Sequence, residues 1–142
     1  MKELKIANTN DLQPGHMKEI AIDDNNSLLL ANIDGEFYAT GYSCTHYGGP
    51  LAQGTLCGDE VGCPWHNAVF HLKTGDLEEP PALEALPRYE VRVEGDDVML
   101  TLPEKFRSRR TPDMVVHDPE KDHRTFVILG AGAAGNAAAQ TL

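Results

Sequence analysis

Two short segments of the chain each pair a cysteine with a histidine. Residues 44–49 read CTHYGG, residues 63–66 read CPWH, and 16 residues separate His46 from Cys63. Thiolate sulfur and imidazole nitrogen are the ligands that proteins offer to zinc and to iron–sulfur clusters. Cys44, His46, Cys63 and His66 are therefore candidate metal ligands. Two kinds of site are open at this point, one structural zinc ion or an iron–sulfur cluster.

The order of the ligands along the chain bears on this choice. Structural zinc sites commonly pair cysteine with cysteine and then histidine with histidine. Here each segment mixes the two types, and a single residue lies between Cys44 and His46. In a 2Fe–2S site where histidines replace the cysteines of one iron, each loop must reach both metals, and a mixed pair can do so. Gly48 and Gly49 would let the backbone bend around such a group.

The whole pattern, written CTHYGGP and CPWHNAVF, resembles the Rieske 2Fe–2S proteins over about residues 1–103. The resemblance implies an all-β fold, a β-sandwich-like body with a smaller cluster-binding subdomain inserted into it. It implies that Cys44 and Cys63 bind one iron and that His46 and His66 bind the other. It also implies that the imidazole edges lie near the surface, where electrons enter and leave.

Two positions separate this chain from the respiratory branch of that family. Gly49 and Trp65 stand where that branch has an additional cysteine in each loop, so no loop–loop disulfide is expected. Trp65 is expected to pack over the ligand loops instead. The third cysteine, Cys57, is expected to be a small buried apolar side chain.

Short apolar segments separated by turn residues predict the strands of the first hundred residues. Asp34-Gly35 predicts a hairpin, and TLCGDEVGC at 55–63 predicts another that turns at Gly58-Asp59. The proline-containing segment 77–87 is expected to form a loop that covers the site. The predicted strand segments are LKIA at 4–7, MKEIAI at 17–22, SLLLANI at 27–33, EFYAT at 36–40, AVFHL at 68–72, YEVRV at 89–93 and VMLTL at 98–102.

Charge and cysteine content narrow the function classes. The formal net charge is −10, and nearly all of the acidic excess lies in residues 1–105. A negative field argues against nucleic acid and anionic membranes as partners, and fits a partner with a basic patch. The first residues lack the apolar segment of a signal peptide, and no run of 18 apolar residues predicts a membrane span. An odd cysteine count with two cysteines beside histidines fits a reducing compartment, and we expect the cytoplasm.

The chain changes character after residue 103. Residues 104–124 are polar, charged and interrupted by prolines, which predicts a linker. Residues 125–142 predict an apolar strand at Phe126–Leu129, the glycines Gly130, Gly132 and Gly135 of a G-x-G-x-x-G turn, and an alanine-rich helix. This is the opening of a Rossmann-type nucleotide-binding domain. A complete βαβ unit needs about 30 residues, so we expect this chain to be a piece of a longer enzyme.

The combination resembles Rieske–flavoprotein fusions, such as apoptosis-inducing-factor-like proteins and related pyridine nucleotide–disulfide oxidoreductases. It implies FAD and NAD(P)H as cofactors of the full-length protein, with the flavoprotein reductase domain, or another redox protein, as the partner. The present chain would itself carry electrons and transform no substrate. Two alternatives stay open, a free-standing Rieske ferredoxin that serves an aromatic-ring dioxygenase, and a zinc-stabilised interaction module without a redox role.

Overall fold

The computed structural model describes residues 2–112 and 118–141, which fall in two compact units, Met1–Pro112 and Asp113–Leu142. In the described part of the first unit, eleven strands alternate with turns and two short 3-10 helices, Thr9–Asp11 and Leu51–Gln53. The strands are β1 (Glu3–Asn8), β2 (His16–Ala21), β3 (Ser27–Ile33), β4 (Glu36–Gly41), β5 (Thr55–Cys57), β6 (Glu60–Gly62), β7 (Val69–His71), β8 (Leu77–Glu79), β9 (Arg88–Tyr89), β10 (Val91–Glu94) and β11 (Asp97–Thr101).

The strands form three antiparallel sheets. The base sheet has the order β1-β11-β10, the central sheet β2-β3-β4-β9, and the loop sheet β5-β6-β7-β8. The loop sheet is made entirely from chain that lies between β4 and β9 of the central sheet. It is therefore an insertion into the body of the domain, and the predicted all-β fold with an inserted subdomain is confirmed.

Strand β3 is buried on both of its faces. Leu28 and Leu30 belong to one apolar core, together with Val98 and Leu100 of the base sheet. Leu29, Ala31 and Ile33 belong to a second core. This second core also holds Cys44, Cys63 and apolar side chains of the loop sheet. Because successive side chains of a strand point to opposite faces, one continuous apolar run can supply both cores.

The hairpin between β3 and β4 turns where the sequence predicts it. Asp34 and Gly35 have φ values of 54° and 93°, the pair of positive values that a type I′ turn requires. Asn32, which is buried, supports the turn from inside. Its side-chain amide donates to the carbonyl of Leu12 at 2.8 Å, and its side-chain oxygen accepts from the amide of Gly35 at 3.0 Å.

Replacing Asn32 with alanine is expected to destabilise the domain by about 1–3 kcal/mol, because two backbone groups lose their buried partner. The exposed Asn25 is the matched control, and its change to alanine should alter stability by less than about 0.5 kcal/mol. Urea unfolding followed by circular dichroism measures both values. Equal stability of the two variants would show that Asn32 is not an internal support of the turn.

Three features of the first unit differ from the sequence-based expectations. Leu77–Glu79, assigned to a loop, forms the edge strand β8 because β7 offers it a hydrogen-bonding partner. Cys57 is exposed rather than buried, so the prediction for this residue is wrong. It ends β5, an edge strand, and pairs with Glu60 across the β5–β6 turn. Finally, the packed unit extends beyond residue 103 and includes residues 104–112.

Residues 104–112, here called the strap, pack against the domain. The ring of Phe106 lies 5.4 Å from that of Tyr89, and the Tyr89 hydroxyl donates to the carbonyl of Arg107. The guanidinium of Arg110 forms an ion pair with Asp76. The first part of the predicted linker is thus fastened to the domain by side-chain and main-chain contacts.

The ion pair between Arg110 of the strap and Asp76 is expected to contribute less stability in acid. Burial acts to raise the pKa of Asp76, but hydrogen bonds with Arg110 and Thr74 leave it below its ordinary value. In the unfolded chain this carboxyl binds its proton at higher pH, so the stabilisation is complete above about pH 4 and is lost as the pH falls through the folded pKa. The difference in unfolding free energy between the wild type and Arg110→Gln should therefore shrink below about pH 4. Urea titrations at several pH values measure it, and a pH-independent difference would contradict this role for Asp76.

The second unit contains the helix α1 (Ala133–Thr141) within its described residues. The helix begins directly after the Gly130 and Gly132 positions, as the sequence predicts. Phe126–Leu129 do not form a strand, since no neighbouring strand pairs with them in the described part of this unit. Among residues 2–112 and 118–141, we find no helix with the length and apolar content needed to cross a membrane.

Candidate metal centre

The first Cys/His segment folds into a tight loop closed by two main-chain hydrogen bonds. The amide of Cys44 donates to the carbonyl of Gly49 at 2.8 Å, and the amide of Gly48 donates to the carbonyl of Cys44 at 2.8 Å. Gly48 has a φ of +78°, which a residue without a side chain adopts freely. His46 lies at the middle of this loop, between the two hydrogen-bonded ends.

The second Cys/His segment repeats the same backbone design. The amide of Cys63 donates to the carbonyl of Ala68 at 2.9 Å, and the amide of Asn67 donates to the carbonyl of Cys63 at 3.1 Å. Asn67 takes the place of Gly48, with a φ of +60°, a region that asparagine tolerates better than most residues. The two loops thus present their candidate ligands from equivalent backbone scaffolds, although one has C-x-H spacing and the other C-x-x-H.

The two cysteines lie together inside the domain. Cys44 and Cys63 are 3% and 2% exposed, and both belong to the same apolar core. Burial raises the pKa of the Cys44 thiol. The backbone amides of His46 and Tyr47 act in the opposite direction and lower this pKa. Such amides would stabilise a thiolate, the form in which cysteine binds a metal.

The two histidines lie together on the outer side of the cysteines. The ring centroids of His46 and His66 are 5.0 Å apart and the rings are close to perpendicular. The Nδ1 atom of His46 is buried, and it is the sole buried side-chain nitrogen or oxygen of the described residues without a hydrogen-bond partner. A buried imidazole nitrogen without a hydrogen-bond partner fits the role of a metal ligand. The ring of His66 is exposed.

The four predicted ligands are therefore brought together as two like pairs. Across residues 2–112 and 118–141, no three His, Cys, Asp or Glu side chains are grouped around a point where they could hold a metal ion. Sulfur instead stands beside sulfur, and imidazole beside imidazole. Two buried thiols and a buried imidazole nitrogen without a partner fit a 2Fe–2S cluster with two cysteine and two histidine ligands.

Two exposed aromatic side chains lie at the Cys/His loops, and an exposed leucine precedes a residue that contacts the first loop. Tyr47 is 72% exposed, and its ring lies 4.2 Å from that of His46. Trp65 is 56% exposed, and it packs on Gly49, as expected, because a Cβ atom there would lie 3.2 Å from its Cδ2 atom. Leu83 is 74% exposed and precedes Glu84, whose carbonyl accepts a hydrogen bond from Thr45. The last contact spans 39 residues of sequence and has no local signal that could have predicted it.

Comparison with known proteins bears on the family of the chain. A family model described as the Rieske [2Fe-2S] domain matches residues 2–90. The chain belongs to this family. As a Rieske domain, the first unit is an electron-transfer module, and the zinc alternative is set aside.

Relatives of two kinds resemble this Rieske chain. Apoptosis-inducing factor 3 of Mus musculus is 38% identical over 146 residues, which cover 99% of this chain and 24% of the relative. The chain thus spans about a quarter of the length of that protein and of its Homo sapiens counterpart. The biphenyl dioxygenase ferredoxin subunit of Pseudomonas sp. (strain KKS102) is 36% identical over 97 residues, which cover 68% of this chain and 88% of the relative.

Solved structures repeat the ferredoxin similarity. A chain from a complex of reduced oxygenase and oxidized ferredoxin in carbazole 1,9a-dioxygenase matches with a TM-score of 0.68 and 31% identity, covering 74% of this chain and 97% of that one. The Sphingomonas yanoikuyae B1 ferredoxin matches with a TM-score of 0.68 and 25% identity, covering 72% of this chain and 100% of that one. The Rieske fold of the first unit is therefore that of the small ferredoxins.

Proposed function

We propose that Cys44 and Cys63 bind one iron of a 2Fe–2S cluster and that His46 and His66 bind the other. The proposal is supported by the pairing of the two buried thiols and by the proximity of the two imidazole rings. The unpartnered Nδ1 atom of His46 is the single observation that carries it, because burying a nitrogen without a partner is costly unless something binds it. When bound, the cluster supplies a centre that accepts and releases one electron.

In this arrangement the cysteines would bind the cluster from the protein interior, and the histidines would bind it from the side that faces the surface. Cys44 and Cys63 lie in the apolar core, which keeps water away from the sulfur atoms. The exposed His66 ring can be approached by a partner protein more closely than either sulfur. Tyr47 lies against both rings, 4.2 Å from His46 and 5.9 Å from His66, and orients them by contact. Electron exchange would therefore take place at the imidazole side, next to exposed Tyr47 and Trp65.

We further propose that the chain is the N-terminal part of an FAD-dependent NAD(P)H oxidoreductase. The similarity to apoptosis-inducing factor 3 extends over 99% of the chain, whereas the similarity to the biphenyl dioxygenase ferredoxin covers 68%. The additional part includes Gly130, Gly132 and Gly135 at the start of α1. A Cβ atom on Gly135 would lie 2.1 Å from the carbonyl oxygen of Gly130, so the third glycine permits a close approach of loop and helix. Such a turn can hold a pyrophosphate at the helix N-terminus once the rest of the domain is present.

A free-standing ferredoxin that feeds an aromatic-ring dioxygenase is the second candidate. The ferredoxin relatives and the solved ferredoxin chains favour it for the first unit. In either case the partner is a redox protein, and a flavoprotein reductase domain in the same polypeptide is the proposed one. A reducing compartment, for which we propose the cytoplasm, fits three cysteines that are all unpaired.

Metal analysis and electron paramagnetic resonance test the ligand proposal. The purified chain should contain iron and acid-labile sulfide in equal amounts, and dithionite should produce the rhombic signal of a reduced Rieske cluster. Zinc without iron would overturn the proposal. The fusion is tested on the longest natural form of the polypeptide, which should bind FAD and reduce its own cluster with NAD(P)H. A natural form that binds no flavin and needs a separate reductase would favour the ferredoxin candidate.

A further inference from the structure

The strap ends in a main-chain link to the loop that follows β8. The amide of Ala85 donates to the carbonyl of Arg110, and the amide of Arg110 donates to the carbonyl of Ala85, both at 2.8 Å. The guanidinium of Arg109 donates to the carboxylate of Glu84 at 2.6 Å. Two main-chain hydrogen bonds and one ion pair thus fix the position of residues 84–85 relative to the strap.

The Arg110 side chain extends this link to two further segments. Its guanidinium pairs with Asp76, and it donates to the carbonyls of Thr74 at 3.1 Å and of Leu86 at 3.3 Å. The amide of Leu86 in turn donates to the carbonyl of Gly75 at 2.7 Å. Arg110 therefore joins the β7–β8 turn to residues 84–86 from the outside of the domain.

Residues 82–86 also make contacts towards the interior of the domain. Ala82 and Leu86 are buried in the core that contains Cys44 and Cys63. The hydroxyl of Thr45 donates to the carbonyl of Glu84 at 2.6 Å. Thr45 lies between the two ligand positions of the first loop, so the segment held by Arg110 also holds that loop.

A continuous chain of contacts consequently runs from the strap to the first Cys/His loop. Arg110 fixes residues 84–86, the carbonyl of Glu84 receives the Thr45 hydroxyl, and Thr45 is bonded covalently to Cys44 and His46. Every link is a hydrogen bond or a peptide bond, and the middle links lie beside buried residues. Displacement at the strap is therefore transmitted to the loop rather than absorbed by mobile side chains.

We propose that Arg110 and Thr45 are positioning residues that hold the first Cys/His loop in its ligating shape, with the strap as the element through which Arg110 acts. The inference rests on the proposed function, in which Cys44 and His46 are ligands. It assigns the strap a role at the site, although the strap lies beyond the residues matched by the Rieske family.

The test uses single and double variants of the full chain. Arg110→Gln removes the outer link, and Thr45→Val removes the inner hydroxyl with little change of shape. Arg107→Gln and Thr55→Val are the matched controls, because both residues are exposed and, within the described residues, their side chains form no hydrogen bond or ion pair with residues 82–86. Amide hydrogen exchange of residues 44–49 is measured by mass spectrometry, alongside the rate at which a chelator removes iron.

Arg110→Gln and Thr45→Val should each accelerate exchange in residues 44–49 about tenfold, the effect expected from losing a hydrogen bond with a charged or buried partner. Exchange in β11, which reports unfolding of the whole unit, should accelerate much less than exchange in residues 44–49. The double variant should exchange no faster than the faster single variant, because both changes break the same chain of contacts. The controls should match the wild type.

Additive effects in the double variant would overturn the inference, and so would an Arg110→Gln variant that exchanges like Arg107→Gln. Equal acceleration in β11 and in residues 44–49 would also overturn it, since it would show general destabilisation. The exchange measurement does not depend on the identity of the metal. If the wild type contains zinc and no iron while the exchange pattern is as expected, the proposed function fails and the positioning role stands.

Discussion

Replacing Cys63 with serine is expected to leave the protein without its cluster. A serine hydroxyl does not ionise near neutral pH as a thiol does, and the site is buried, so the iron would lose an anionic ligand that water cannot replace. The affinity for the cluster should fall by far more than the roughly tenfold to hundredfold loss that follows removal of an outer hydrogen-bond partner. The purified variant should therefore contain little iron or sulfide. Metal analysis and the visible absorption spectrum measure the loss.

Two further variants make this result specific. Cys57→Ser alters an exposed thiol outside the site and should retain full iron and colour. His66→Ala alters an exposed side chain, so it removes a proposed ligand without opening a cavity in the core. It should also lose the cluster while the strands remain folded by circular dichroism. If Cys63→Ser or His66→Ala keeps an unchanged spectrum, the ligand assignment is wrong.

The second large effect is expected at Gly49. A Cβ atom at this position would lie 2.8 Å from the sulfur of Cys63 and 3.2 Å from Cδ2 of Trp65. Gly49→Ala therefore forces a proposed ligand and the ring above it to move apart, at a cost of about 1–3 kcal/mol for overpacking. The cluster should be lost to a chelator at least about tenfold faster, since about 1.4 kcal/mol corresponds to a factor of ten.

Gly48 offers a control within the same loop. A Cβ atom there would meet nothing within 4 Å, but its φ of +78° is unfavourable for alanine. Gly48→Ala should thus cost about 1–2 kcal/mol of backbone strain and leave the sulfur atoms in place. Urea unfolding and chelator kinetics separate the two effects. The packing argument fails if Gly48→Ala releases iron faster than Gly49→Ala.

Local signals account for the parts of the fold that were predicted correctly. Asp34-Gly35 specifies its hairpin through the positive φ values that these two residues tolerate. The run at 27–33 is apolar enough to be buried on both faces, and it became β3. The four proposed ligand positions stand out in the sequence because their residue types and spacing are unusual in combination.

Long-range contacts account for the parts that were not predicted. Leu77–Glu79 carries two glutamates and precedes two prolines, and it is a strand because β7 pairs with it. The strap looks like a linker in sequence, and what holds it is Arg110 meeting Ala85 and Asp76. Phe126–Leu129 shows the converse, since its strand-like composition finds no pairing partner in the described residues. No window of neighbouring residues contains this information.

The double burial of β3 has a consequence for how the domain comes apart. One strand supplies walls to both cores, with Leu28 and Leu30 on one side and Leu29, Ala31 and Ile33 on the other. If the core between β3 and the base sheet were lost, β3 would no longer be held in place. The core that contains the two cysteines would then lose the side chains that β3 contributes to it. We therefore expect the inserted subdomain to have no separate unfolding transition, so that the first unit unfolds in one cooperative step. During folding, we expect the cysteines to become buried only after the central sheet has formed, because β3 supplies part of their core.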